Sequence, residues 1–299
     1  MQFGSFYIGG RTVRISGRPV EPVRMTDLVT LPQDPNGDHR IEQAYVQWFK
    51  PPGGGPRIVF QHGGGLCGTI WEGTPDGRPG WAQLFLERGY EVYVIDNVER
   101  GRAGWCPFEE ACPGQATARS GEEAWTLFRI GPADGYPDRR AFPGQRFPVA
   151  AFDDFLPFLV PRWARPTDLA VTRLTELVRR VGPCALVGHS QGGEIAWRTA
   201  AALPDLVRDL VLVEASGTVG RGIGPDLART RHLFLLGDFL DRHPVFVDLA
   251  TRTEGWRARL SGFGGDARIL TVPGGSHMMM MDTNSREVAG HVAEWLSAG

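Results

Sequence analysis

Among the side chains that could do covalent chemistry, Ser190 has the most demanding setting. It is the centre of Gly188-His189-Ser190-Gln191-Gly192. The apolar stretch Cys184-Ala185-Leu186-Val187 runs into it, and Glu194 to Leu203 leaves it with helical composition. A strand, a tight turn and a helix with serine at the apex make the nucleophile-elbow pattern G-x-S-x-G. Glycine is needed beside the serine because the turn is strained and both chain arms crowd it, leaving no room for a Cβ. The amides that open the following helix carry partial positive charge and can hold an oxyanion.

A serine hydroxyl needs a base within hydrogen-bond reach, and that base needs a third group to fix its tautomer. Of the seven histidines, His277 has the best placement, on a Gly-Gly loop after the last predicted strand (Pro273-Gly274-Gly275-Ser276-His277). His62, His189 and His232 fall at strand ends or the elbow and read as structural; His39, His243 and His291 read as surface residues. Three carboxylates could be the third member. Glu214 ends the apolar run Val-Arg-Asp-Leu-Val-Leu-Val, and Asp238 and Asp241 follow the next strand, Asp241 being the stronger of those two, a few residues past Gly237. Glu214 is preferred, because a lone carboxylate closing an apolar strand demands a partner. The chain order is then Ser, acid, His. A second oxyanion donor can come from His62-Gly63-Gly64-Gly65, where three glycines after a strand let a backbone amide turn inward.

These residues must be carried by a scaffold, and the pattern predicts one. Residues 2 to 20 alternate apolar and polar and read as a β-hairpin turning at Gly9-Gly10, followed by a polar stretch to His39. Strands are predicted over residues 41–49, 57–61, 90–96, 206–213, 232–238 and 267–272, besides the strand before the elbow. Helices are predicted over 81–89, 167–178 (with Thr167 as N-cap), 244–260 and 285–296, besides the one after it. A glycine-rich linker follows Glu214. Alternating strands and helices mean a mostly parallel sheet covered on both faces, with ligands bound at the carboxyl ends of the strands. From Asn97 to about Arg165 the alternation breaks into a Gly- and Pro-containing stretch dense in aromatics, read as an inserted cap.

Composition narrows the field further. Hydrophobic residues are 42% and charged residues 22% of the 299, and the net charge is −2, so no electrostatic case exists for nucleic acid or an anionic membrane. No apolar run reaches the ~20 residues that span a bilayer. The start lacks a basic region followed by an apolar core, so a cytoplasmic location is expected, or an exported one if a leader was removed. Cys67, Cys106, Cys112 and Cys184 have no zinc spacing; Cys106 and Cys112 could bridge in an oxidising compartment, or all four could be free thiols.

His62-Gly63-Gly64-Gly65, Gly188-His189-Ser190-Gln191-Gly192 and His277 together resemble the α/β-hydrolase superfamily. More narrowly, the stretch from Trp71-Glu72-Gly73-Thr74-Pro75-Asp76-Gly77 to Trp81, the elbow, and Ser276-His277-Met278-Met279-Met280 resemble a small branch of bacterial carboxylesterases. That branch carries its acid as Glu after the sixth strand. The resemblance runs from about residue 5 to 297 and implies a single α/β-hydrolase domain over 1–299, with the cap inserted at about 97–165. It implies Ser190 as nucleophile, His277 as base and Glu214 as acid, with oxyanion amides from Gln191 and Gly64 or Gly65. Members of the branch can carry adjacent cysteines where this chain has Gly64 and Gly65. The expected activity is hydrolysis of carboxylic esters through an acyl-enzyme, with no metal or organic cofactor. Cap aromatics suggest bulky apolar or aromatic substrates. A lactonase using the same triad, or a silent hydrolase-like binding protein, are the alternatives. The partner expected is a small-molecule ester or lactone, and the sequence is compatible with a homodimer.

Overall fold

The computed structural model describes residues 1–163, 167–216 and 224–299. Its centre is an eight-stranded sheet. In chain order the strands are β1 (Gln2–Ile15), β2 (Gly37–Lys50), β3 (Arg57–Gln61), β4 (Glu91–Asp96), β5 (Cys184–His189), β6 (Val207–Val213), β7 (Arg231–Leu236) and β8 (Ala267–Thr271). Their spatial order is β1-β2-β4-β3-β5-β6-β7-β8. From β4 to β8 all neighbours are parallel, while β2 runs antiparallel to both β1 and β4. This is the mostly parallel α/β-hydrolase sheet that the sequence predicted.

The side-chain alternation of the central strands feeds two separate cores. Ile58, Phe60, Val92, Val94, Val187 and Val211 point to one face, where α1 (Thr69–Glu72), α2 (Trp81–Glu87) and α8 (Ser285–Ser297) pack. Val59, Tyr93, Ile95, Leu186, Leu210 and Leu212 point to the other. There they meet α5 (Thr167–Val181), α6 (Gln191–Ala202) and the Trp256–Leu260 end of α7 (Leu249–Gly262). Burial on both faces explains why these strands read as apolar runs and not as alternations.

Two local expectations are corrected. Gly9-Gly10 is not a turn: β1 continues through it, with Gly9 opposite Gln43 and Arg11 opposite Ile41. The positive φ of Gly9 (62°), Gly10 (85°) and Glu42 (64°) takes one pair out of the ladder without changing its register. The hairpin closes instead through residues 16–36, which carry their own exposed ribbon of Glu21–Arg24 against Thr30–Gln33. Thr167 does not cap α5 but is already helical; the residues before it lie outside the described residues. So does the glycine-rich linker over 217–223.

Between Asn97 and Trp163 the chain forms the short helices α3 (Gly121–Leu127) and α4 (Phe152–Phe155) and several single turns. Ser120 caps α3, its hydroxyl accepting from the Glu123 amide at 3.1 Å. Cys106 and Cys112 are joined by a disulfide, their Cα atoms 6.1 Å apart. Trp125, Phe128, Phe147, Phe152 and Phe155 are buried in the same core as β3 and β5, whereas Trp105 is exposed. Most aromatics of this segment therefore weld it to the sheet. No helix among the described residues is long and apolar enough to cross a membrane.

Candidate active site

β5 delivers His189, and Ser190 follows with φ 50° and ψ −122°, a conformation side-chain-bearing residues rarely adopt. Neighbouring backbone holds it there. The Ser190 amide donates to Val213 O at 3.0 Å, and its carbonyl accepts from the amides of Gly193 and Ser216, both at 2.9 Å. α6 starts at Gln191, whose amide is one of the four N–H groups at a helix start without an intrahelical acceptor. Gly192 has no room for a side chain, because a Cβ there would run into the His62 carbonyl and lie 2.9 Å from Gln61 Cγ.

Glu214 comes one residue after β6, with φ 43°. That backbone turns its carboxylate toward the loop after β8. His277 Nδ1 donates to Glu214 Oε2 at 2.5 Å. The same loop is tied to the elbow, because His189 Nε2 donates to the His277 carbonyl at 2.9 Å. The His277 amide in turn donates to Phe128 O at 3.0 Å. His277 is thus anchored through ring and backbone to three separate elements. Its ring stacks on Phe128 (5.6 Å between centroids) and meets Phe246 at 4.7 Å.

The remaining oxygen of Glu214 is taken by residues that no sequence motif singles out. Arg129, fully buried, donates from Nη2 to Glu214 Oε1 at 2.5 Å, and the Gly237 amide donates to the same oxygen at 2.7 Å. Arg129 Nε donates to Asp238 O at 2.9 Å, and the guanidinium lies 4.3 Å from the Phe246 ring centroid. Burial would push the Glu214 carboxyl up, but Arg129 and then His277 outweigh it and hold it at about 2. Burial likewise lowers His277 from its ordinary value; Glu214 opposes this, while Arg129 and Arg119 add to it. The pair therefore rests as an ionised carboxylate and a neutral imidazole. Nδ1 carries the proton and Nε2 the lone pair.

The loop after β3 passes beside the elbow. A Cβ on Gly63 would lie 3.1 Å from Ser190 Cβ. Gly65 has φ 69°, open to glycine, and its carbonyl accepts from the Val160 amide at 2.9 Å. Gly64 sits between them. His62 steadies the loop: Nδ1 donates to Gly63 O at 2.8 Å and Nε2 accepts from the Asn97 amide at 3.1 Å. Burial lowers it to about 4, so it stays neutral.

Other residues fall as follows. Asp241 is exposed and pairs with Arg242 at 3.3 Å, so it is Glu214 that meets His277. His189 and His232 are fully buried, and His291 is exposed, as expected. His243 and His39 are half-buried, not surface residues: His243 packs on Phe246, and His39 meets Phe108 and Pro35 O. The Trp71–Trp81 motif is bonded to the chain just after His277. Arg78 donates to Met281 O (2.7 Å) and Asp282 O (2.8 Å), and Trp81 Nε1 donates to Ser285 Oγ at 3.1 Å. Ser276 then donates to Asp282 from both amide and hydroxyl, at 2.7 and 2.6 Å. These bonds join two stretches that lie far apart in sequence.

No protein-family model matches the chain. Over its whole length it is similar to a solved bacterial esterase, with 31% identity, a TM-score of 0.83, and coverage of 99% of this chain and 95% of that one. It is 36% identical over 167 residues to a probable secreted lipase from a fungal species; the match covers 54% of this chain and 45% of the lipase, under half of that relative. The carboxylesterase CesB of Bacillus subtilis shares the fold at 10% identity and a TM-score of 0.51, over 100% of this chain and 93% of its own.

Proposed function

The chain belongs to the esterases of α/β-hydrolase fold, and we propose that it hydrolyses carboxylic esters through an acyl-enzyme on Ser190. The observation that carries this reading is the 2.5 Å contact of His277 Nδ1 with Glu214, on a loop whose backbone is bonded to the residue preceding Ser190. With Nδ1 committed, Nε2 is the nitrogen left for the Ser190 proton.

His277 takes that proton as Ser190 Oγ attacks the ester carbonyl. The carbonyl oxygen becomes an oxyanion, held by the amides of Gln191 and of Gly64 or Gly65. The imidazolium is stabilised by Glu214 and returns its proton to the departing alkoxide. Water, deprotonated by His277, then attacks the acyl-enzyme, and Ser190 recovers its proton as the acid leaves. Phe128, stacked on His277, and Phe246, tilted against it, favour acyl or alcohol groups that are bulky and apolar or aromatic. All of these groups come from one chain, so the reading is the same for a monomer and for a homodimer. The Cys106–Cys112 bridge, together with a relative named as secreted, favours an oxidising compartment over the cytoplasm.

The test is labelling and turnover. A fluorophosphonate probe should modify the wild-type protein at Ser190. Ser190→Ala should abolish both labelling and hydrolysis of a p-nitrophenyl ester while keeping the melting midpoint. Retained turnover in that variant rejects the assignment, and an unlabelled wild type points to a binding protein. A panel of esters and lactones of graded acyl size then separates esterase from lactonase; strict preference for acetyl esters of small alcohols would overturn the bulky-substrate reading.

A further inference from the structure

We propose that Arg129 is a positioning residue of the triad: it locks Glu214 so that a single carboxylate oxygen serves His277, and it thereby sets the lower pH limit of catalysis. The proposal rests on the reading of Ser190, His277 and Glu214 given above.

The locking is geometric. Glu214 Oε1 accepts from both Arg129 Nη2 and the Gly237 amide, leaving Oε2 as the oxygen available to His277. The guanidinium cannot swing away, because Nε is bonded to Asp238 O and its face lies on Phe246. Position 237 has to be glycine for this arrangement: a Cβ there would stand 2.7 Å from Glu214 Oε1 and 3.0 Å from Arg129 Nη2. Arg129 and Glu214 both adopt positive φ, 57° and 43°, so the backbone on both sides is held in a costly conformation that aims the two side chains at each other. The arginine belongs to the segment between β4 and α5, so that segment also orients the acid.

The second part follows from charge. A carboxylate with no solvent access tends to take up a proton, and a neutral acid could not stabilise an imidazolium. Arg129 removes that tendency. The same cation is bonded to the very carboxylate that His277 uses, so it opposes a positive charge on the ring and the imidazole remains a base at lower pH. The charged and titratable groups around His277 are Glu214 from the end of β6, Arg129 and Arg119 from the segment between β4 and α5, and His189 from the elbow. His243, Asp238 and the Ser276-bonded Asp282 complete the set. Among the described residues, Arg129 is the one cation of this set paired with Glu214.

The experiment compares pH profiles of kcat/KM for a neutral p-nitrophenyl ester in wild type, Arg129→Met and Arg129→Lys. Removing a positive charge makes protonation of His277 easier, so the acid limb of Arg129→Met should move up by about one pH unit. Its plateau kcat should fall roughly 10- to 100-fold, with KM little changed, as for lost transition-state positioning. Arg129→Lys keeps the charge and loses the fork; its acid limb should stay near that of wild type, with kcat partly recovered. A purely structural role predicts a lower melting midpoint and an unmoved acid limb in Arg129→Met, and that outcome overturns the proposal. If the Met variant does not fold, an upward shift of about a unit in Arg129→Lys overturns it, as does a His277 ring proton titrating above pH 6.5 in the NMR spectrum of the unmodified protein. Ser190→Ala and His277→Ala run alongside. If either turns over ester, the triad reading itself has failed; if both are dead and the Arg129→Met limb is unmoved, Arg129 alone was misassigned.

Discussion

At the residue scale, the decisive choice is between two carboxylates. Glu214 is fully enclosed and bonded to His277, Arg129 and Gly237, whereas Asp241 is exposed beside Arg242. Replacing the acid of such a triad by its amide leaves shape intact but fixes the wrong imidazole tautomer, at a cost of ~10⁴ in kcat. Glu214→Gln should therefore lose about three to four orders of magnitude in kcat, and Asp241→Asn should stay within about twofold of wild type. Steady-state kinetics on one ester checks both, and equal losses would leave the choice of acid without support. The pH dependence has a definite sign. As the proposed base, His277 would work while neutral, and burial lowers it from its ordinary value of 6.5, so activity should persist below pH 6.5 and fall as the ring takes up a proton. The Glu214 carboxyl, lowered to about 2, contributes stability that is complete above pH ~4.5 and is lost as pH falls toward 2.

At the scale of elements, the site is a meeting of turns, and glycines set how closely those turns approach. The elbow packs on the loop after β3 through Gly192 and Gly63, where a side chain would strike His62 O or Ser190 Cβ. Gly192→Ala should push α6 away from that loop. Overpacking of this kind costs typically 1–3 kcal/mol, so the melting midpoint should drop by several degrees, and kcat should fall more than KM rises. Thermal melts and kinetics of that single variant test it; unchanged values of both would mean that the two turns are not in register. The Trp71–Trp81 motif works by the same logic from the other side. Its Arg78 and Trp81 fasten the chain just after His277, the proposed base.

At the scale of the whole molecule, the sheet and its two cores leave one part of the chain outside. The ribbon Glu21–Arg24/Thr30–Gln33 is exposed throughout, as are Met25 and Leu28 at its tip. It is tied to the body by the Arg18–Glu110 ion pair, both members half-exposed, by Arg18 lying 5.4 Å from the Phe108 ring centroid, and by His39 Nε2 on Pro35 O. Surface pairs of this kind are worth ~0–1 kcal/mol. Ile15 and Gly37 already face each other in the β1–β2 ladder, so a short Asn-Gly turn can replace residues 16–36. That variant should keep full esterase activity and melt within about 3 °C of wild type. Loss of activity would show that the ribbon serves the site after all.

Much of this was legible in the chain alone, for a physical reason. Strand periodicity and the elbow pattern are local properties: each needs a few neighbouring residues of the right shape, and each predicted the right element. Local reading went astray where geometry depends on partners. Gly9-Gly10 looked like a turn because a glycine pair permits one, yet its strand found a longer ladder with β2. Arg129 was invisible because nothing in Phe128-Arg129-Ile130 reveals that a guanidinium with no solvent access will be neutralised by a carboxylate eighty-five positions away. The sequence determined which groups could react and on what kind of sheet. Only tertiary structure decided which acid met the imidazole, which cation balanced that acid, and that Cys106 and Cys112 join. Burial makes those choices, because a charge or a strained turn is tolerated inside a protein only when distant parts of the chain arrive together to compensate it.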